Sequence, residues 1–297
     1  MQSSNQIDAI SIIGVASGLG QKLLGLESAP QILRQHGLVE ALSEKIKNIS
    51  DLGDIHPSIE PHPKSDSIFW DLVYRTRNIA TEVLSKNELL LTLGGDHSIA
   101  IATVQASLNT NPNTRVVWVD AHGDINTPAT SLTGHLHGMP LAALLGLFKT
   151  PLEFKKLQPQ NLLLVGVRDL DPAEIHFLED LNIEVITSKQ CNQHPEQTLA
   201  QINLWLTKSK DSPIHLSFDI DALDPEFAPA TGLRVNNGLS MDFSKNMMKQ
   251  ISLTQKLTAI DFVEFNPLQA KSNVELLQTI GSAKEIIAHA LFVQGAL

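Results

Sequence analysis

Asp120, His122 and Asp124 stand at alternate positions in WVDAHGDINTPATSLTGHLHGMP (118–140), where a buried strand would go on reading Val, Ile and Leu. Carboxylates and imidazoles so spaced suit metal ions that activate water. The pattern recurs along the chain. After LLLTLGG come Asp96, His97 and Ser98, after IHLSF come Asp219 and Asp221, and near the end of LTAIDFV comes Glu264. Each alone is ordinary, because Gly-Gly-Asp-His usually makes a turn with a helix-capping Asp and Asp-x-Asp is commonly a solvated loop. Together they place acids or imidazoles after four separate apolar runs.

Side chains at i and i+2 of an extended segment point the same way, so Asp120 with His122, and Asp219 with Asp221, can each aim at one ion. Four aspartates gathered without cations would repel and raise one another's pKa, at a cost of roughly several kcal/mol. Two divalent cations would neutralise them. One carboxylate from each of two strands can bridge the pair, at a separation of roughly 3.5 to 4 Å. Carboxylates with a minority of imidazoles and no thiolate favour manganese, with Co2+ or Fe2+ less selectively; a structural zinc would want cysteine, and magnesium or calcium little histidine.

The elements that must position these groups are short runs rich in Ile, Val and Leu at 9–16, 89–95, 115–122, 161–169, 183–188, 214–224 and 257–265. They do not alternate with polar residues, so each is covered on both faces. Helix-period segments lie between them at 69–84, 172–181, 195–209 and 273–292. Strand, helix, strand repeated predicts an α/β fold, a three-layer α/β/α sandwich with a mainly parallel central sheet. No linker, repeat or compositional break divides residues 1–297, so a single domain is expected. Residues 51–67, with their prolines and polar side chains, read as a long surface loop in which His56 and His62 are solvated. In open parallel sheets ligands bind beyond the carboxyl ends of strands, and there the acids and imidazoles fall.

Twenty-two Lys and Arg against 32 Asp and Glu give a formal charge of −10, which argues against a nucleic-acid surface or an anionic membrane. The N-terminal MQSSNQIDAI has no basic leader, and the apolar run after it is broken by Ser11 and Gly14. The expected location is cytoplasmic. Cys191, the single cysteine, sits among Gln, Asn, His and Pro and is expected on a surface loop as a free thiol. His176, His194, His215 and His289 read as structural or solvated.

GGDHS (94–98), DAHGDIN (120–126), SFDIDALDP (217–225) and VEFNP (263–267) resemble, in order, the signature blocks of the ureohydrolase family of arginases and agmatinases. Residues 124–140 are similar to an arginase substrate loop, and GQ (20–21), GLESAP (25–30) and LRQHGL (33–38) to the arginase N-terminus. The resemblance implies that His97, Asp120, Asp124 and Asp219 bind one Mn2+ and Asp120, His122, Asp219 and Asp221 the second, with Asp120 and Asp219 bridging. It makes His137 the proton-shuttling histidine, Glu264 the carboxylate that holds a substrate guanidinium, and Asp124 a catalytic group as well as a ligand. Asp171, with Glu174 nearby, would meet an α-amino group, and Asn126 and Thr133 an α-carboxylate.

Thr133-Gly134-His135-Leu136-His137-Gly138 departs from the Ser-Gly-Asn-Leu-His-Gly usual in arginases, so His135 stands where an amide grips the amino-acid end. Arg234 and an Asn-Asn pair likewise replace small apolar residues and glycines. The activity implied is hydrolysis of L-arginine to L-ornithine and urea. A sister activity on agmatine or a guanidino acid, and a non-catalytic metal-binding homologue, are the alternatives. By the same resemblance the partners are a small guanidino substrate and further copies of the chain, as a trimer or hexamer. His137 has a plainer role open to it, capping the helix begun by MPLAALLGL (139–147).

Overall fold

The computed structural model describes residues 7–59 and 67–292. Eight strands form one sheet: β1 (Ala9–Val15), β2 (Asn48–Ile55), β3 (Leu89–Leu93), β4 (Arg115–Val119), β5 (Leu162–Val167), β6 (Glu184–Thr187), β7 (Ile214–Asp219) and β8 (Leu257–Val263). Their order is β2-β1-β3-β8-β7-β4-β5-β6, and every pairing is parallel. The helices are α1 (Ala29–Gln35), α2 (Leu38–Ser43), α3 (Ile68–Ser85), α4 (Ala100–Thr110), α5 (Pro140–Leu145), α6 (Pro172–Asp180), α7 (Ser188–Gln193), α8 (Pro195–Thr207), α9 (Met241–Leu253) and α10 (Asn273–Leu291).

The absence of alternation in the strand sequences has its expected cause. Every residue of β3, β4, β5 and β7 is buried. Leu91, Leu93, Val117, Leu163, Leu216 and Phe262 face one core, shared with α1, α2 and α7–α10 through Leu33, Leu42, Cys191, Trp205, Met247 and Ile286. The intervening residues, among them Leu90, Val116, Trp118 and Leu164, face α3–α6 through Leu72, Val83, Val104 and Leu141. Sheet covered by helices on both sides is the sandwich predicted. No helix among the described residues is long and apolar enough to cross a membrane.

Two expectations are corrected. Residues 51–55 belong to β2, so the loop begins only at His56; residues 60–66, with His62, lie outside those described. β2 is an edge strand with most residues exposed or half-buried, and its acids are held by Arg34, whose guanidinium bonds both carboxylate oxygens of Asp51 at 2.7 and 2.9 Å. Cys191 is not on a surface loop: it is fully buried on α7, and burial pushes its thiol pKa up to about 12. It packs as a small apolar side chain.

The central strands carry the stability. Leu91→Ala, at a position with no exposed surface, is expected to lower unfolding free energy by about 2 to 5 kcal/mol. Chemical denaturation of the two proteins under identical metal loading measures it.

Candidate active site

The four predicted runs beside the acids and imidazoles overshoot their strands by two to five residues, and the site lies at that overshoot. β4 ends at Val119 and β7 at Asp219, so Asp120, His122, Asp124 and Asp221 lie in the turns that follow. The i, i+2 pairs do converge, through turns rather than strand alternation. His122 N–H donates to Asp120 Oδ1 at 2.7 Å, and Asp221 N–H to Asp219 Oδ1 at 2.7 Å, each acid closing a local ring. Asp96 caps the 3-10 turn His97–Ile99 through Ser98 N–H and also accepts from Gly20 N–H, so it stands behind the site as scaffold. Gly95 is required there: a Cβ would lie 1.7 Å from the Ser17 carbonyl oxygen.

Among the described residues two ligand groups result, each with its donor atoms within 4.8 Å of one another: His97, Asp120 and Asp219, then Asp120, His122 and Asp221. His97 Nδ1 faces Asp120 Oδ2 at 2.9 Å, Asp124 Oδ2 at 3.1 Å and Asp219 Oδ2 at 3.3 Å. His122 Nδ1 faces Asp120 Oδ1 at 3.2 Å and Asp221 Oδ2 at 3.1 Å. Asp120 thus serves both groups with different oxygens, as a bridging carboxylate can. Asp219 joins only the first group, and its Oδ1 accepts from the Asp221 N–H. Asp124 approaches His97 but falls outside both groups, and its buried Oδ2 makes no well-formed hydrogen bond.

This arrangement fits cations and little else. One imidazole nitrogen carries at most one proton and cannot satisfy three carboxylate oxygens. Burial, followed by the charges of neighbouring acids, raises the pKa of Asp124 to about 8 and that of Asp219 well above the ordinary range; burial also raises Asp221. Burial opposes charging His97, yet the facing carboxylates raise its pKa overall, and His122 responds likewise to Asp221 and Asp120. For Asp120 burial is outweighed by hydrogen bonds from His122 and His97, and its pKa falls. A cluster so mutually strained is what divalent ions relieve.

A cavity of about 470 Å³ opens over the clusters, lined by His97, His122, Asp124, Asn126, Thr133, His135, His137, Asp171, Glu174, Asp219, Asp221 and Glu264, with Asp120 behind them. A larger one, about 580 Å³, opens at the other end of the strands around Asn87, Thr110 and Pro213. Neither ligand group touches it.

Glu264 stands at the end of β8 with φ +61°, in the left-handed region at a cost of about 1 to 3 kcal/mol, and Asp124 has φ +50°, which an aspartate tolerates better than most side chains. The Glu264 carboxylate accepts from the His97 backbone N–H at 2.9 Å and lies 3.2 Å from His137 Nδ1. Burial disfavours the charged His137 ring, but Glu264, aided by Asp124 and Asp96, raises its pKa to about 9. His137 does not cap α5, whose N-cap residue, Met139, makes no side-chain cap bond. At the cavity's outer end Asp171 and Glu174 form a capping box on α6, Glu174 also accepts from Ile125 N–H, and Asn126 donates its amide to Asp171 at 2.8 Å. Thr133 is exposed and accepts from the His135 N–H, whose ring lies 5.7 Å from that of His137.

Sequence reasoning left three contributors without a role. The Gln21 amide donates to both Glu264 oxygens, at 2.8 and 3.1 Å. Trp118 stacks on His97 at 4.0 Å and donates its indole N–H to Asp120 Oδ2 at 3.2 Å. Arg168 clamps the turn after β7 by donating to the Asp221 carbonyl at 2.6 Å and the Ala222 carbonyl at 3.2 Å. Trp118 had a signal in its i−2 spacing from Asp120, and Gln21 in its place in GQ (20–21).

Residues 8–293 match the model of the Arginase family. The chain is 35% identical over 298 residues to the hepatic arginase of Aquarana catesbeiana, covering 94% of this chain and 91% of that one. To the arginase of Staphylococcus aureus it is 36% identical over 286 residues, covering 91% and 94%. The crystal structure of Bacillus subtilis arginase superposes with a TM-score of 0.87 at 32% identity, covering 96% of this chain and 98% of that one. With the ligand clusters, the cavity and the sequence match extending over the same residues, the chain belongs to the arginase family.

Proposed function

We propose that this chain, working as one domain, is a metal-dependent amidine hydrolase that releases urea from a guanidino group, with L-arginine as substrate and two Mn2+ as cofactor. The observation that carries the reading is the convergence of Glu264 and His137 on the cavity floored by the two His/Asp clusters. His97, Asp120, Asp124 and Asp219 would hold one ion and Asp120, His122 and Asp221 the other, with Asp219 able to reach the second once an ion competes for its oxygens. Bound there, a pair of divalent ions supplies Lewis acidity and makes water acidic enough to attack near neutral pH.

The side chains supply the rest. Glu264 accepts the guanidinium N–H groups in charge-assisted bonds and orients the planar carbon toward the clusters. His137, 3.2 Å from Glu264 Oε1, carries a proton to the departing amine, which cannot leave as an anion. Asp171 meets an α-amino group at the outer end, while the Thr133 hydroxyl and the His135 ring face an α-carboxylate. Slight burial, then the charges of His137 and Lys22, lower the His135 pKa, so at neutral pH its ring offers a hydrogen bond rather than a charge.

One observation favours a second reading, on agmatine: the Asn126 amide gives one of its two N–H groups to Asp171, leaving a single donor for a carboxylate. Urea measured after incubating manganese-loaded protein with arginine, agmatine and guanidino acids decides. Arginine is expected to give the highest kcat/KM. Urea from another compound but none from arginine rejects the substrate, and none from any rejects the hydrolase.

A further inference from the structure

His215 and Asp261 are fully buried and no step above uses them. They belong to a file of polar side chains running from the floor of the clusters into the core between the sheet and α4. His97, whose Nδ1 faces the three carboxylates, turns its other nitrogen, Nε2, to Ser217 Oγ at 2.9 Å. Ser217 on β7 and Asp261 on β8 are register partners, and their oxygens Oγ and Oδ2 are 3.5 Å apart. Asp261 Oδ2 also accepts from Thr103 Oγ at 2.7 Å and lies 2.8 Å from His215 Nε2. His215 Nδ1 in turn lies 2.8 Å from Ser107 Oγ. Every member is at most 2% exposed.

Proton directions follow from donor chemistry. A carboxylate oxygen accepts, so the Thr103 and Ser217 hydroxyls donate toward Asp261 Oδ2, which His215 Nε2 also faces. With its hydrogen so directed, Ser217 Oγ can only accept from His97, which places a hydrogen on His97 Nε2. The Nδ1 lone pair is then left pointing at the carboxylate cluster, the form a metal ligand needs. Were the serine reversed, Nδ1 would carry the hydrogen and bind no ion. The other oxygen of Asp261 has no hydrogen-bond partner, so packing alone does not account for a carboxylate here.

We infer that Ser217 and Asp261 are positioning residues for one ion only, the one on the His97 side, because they fix which nitrogen of His97 faces the cluster. His122 reaches this file only through Asp120, and its ring nitrogen faces Asp120 and Asp221 rather than Ser217 or Asp261. The inference rests on the two-ion reading and deepens it.

The test titrates metal-free wild type, Ser217→Ala, Asp261→Asn and Ser217→Thr with manganese(II) chloride, using calorimetry for affinity and elemental analysis for ions retained per chain. Wild type is expected to show two sites. In Ser217→Ala and Asp261→Asn one site should weaken by about 10- to 100-fold, and the other should stay within about twofold. Ser217→Thr, which keeps the hydroxyl, should retain both. Equal weakening of both sites, or of neither, overturns the inference. Should circular dichroism show Ser217→Ala unfolded, the Asp261→Asn titration decides alone, and an unfolded Asp261→Asn leaves the decision to Ser217→Ala. Failure of both to fold while Ser217→Thr folds would make the file a folding element and overturn it too. A wild type taking up fewer than two ions refutes the two-ion reading instead.

Discussion

Glu264→Gln should lower kcat/KM for arginine by on the order of 10²- to 10³-fold while leaving two ions bound. The side chains are nearly isosteric, so the change isolates charge. A buried charge-assisted pair that loses one partner forfeits about 2 to 5 kcal/mol, and each ~1.4 kcal/mol of transition-state stabilisation is tenfold in rate. Glu264 belongs to neither ligand group, so ion content measured by elemental analysis should not change. The pH profile supplies a second readout. Glu264 raises the His137 pKa to about 9, so the ring stays protonated, and able to donate to the leaving amine, until pH rises through that region. Without the carboxylate the pKa falls toward its ordinary value of roughly 6.5, and the alkaline loss of activity should move to lower pH. Wild-type kcat/KM, or a drop that tracks lost metal, would remove the role assigned to Glu264.

The fold was legible where burial on both faces forced continuous apolar runs, as in LLLTL and RVVWV, and also at the edge strand β6, but not at the other edge, β2. NISDLGDI forms β2 although half its residues are exposed, because pairing with β1 and neutralisation by Arg34 replace the missing burial. Cys191 misled for the opposite reason. Its polar sequence neighbours are the outer face of a short amphipathic helix, and only tertiary packing shows that the thiol points inward.

The metal-type residues could be read because they interrupt those apolar runs at the end where a parallel sheet gathers its loops. Turn geometry, which actually converges Asp120 with His122 and Asp219 with Asp221, leaves no periodic trace, and the i, i+2 rule succeeded by coincidence of spacing. Gln21, Arg168 and Ser217 act through contacts with residues far along the chain; Gln21 and Ser217 fall in quoted motifs, GQ and SFDIDALDP, but their contacts leave no periodic trace there. The strain at Asp124 and Glu264 has the same origin. Both adopt positive φ only because the surrounding turns fix the backbone, as with Glu264 N–H on the Gly95 carbonyl at 2.9 Å.

Removing the ions should reverse the pH dependence of stability as well as lower it. At a thousandfold excess over Kd each ion adds about 4 kcal/mol to the folded state. Two such ions in a chain of this size correspond to a Tm difference on the order of 15 °C. In the metal-free protein the buried acids dominate. Asp124, with its pKa raised to about 8, and Asp219 and Asp221, also raised, hold protons in the folded state that the unfolded chain has shed above roughly pH 4. The native state then binds more protons than the unfolded one, so stability falls as pH rises from 5 to 8. His97 and His122 act in the same sense, since their raised pKa values give stability that is complete below roughly 6.5 and is lost as pH climbs through the folded values. Asp120, lowered, contributes a constant amount across that window. In the loaded protein, protons compete with ions for the same atoms, so stability from metal grows with pH. The two Tm curves, measured by scanning calorimetry with manganese and with a chelator, should therefore diverge from pH 5 to 8. Asp219→Asn separates the cost of the buried acid from ligation: it keeps the oxygen that accepts from Asp221 N–H and no longer has to take up a proton on folding without metal. With chelator it should melt several degrees above wild type, and with manganese below it. Parallel curves, or a variant less stable than wild type in both conditions, would show that the acids are balanced by something other than cations.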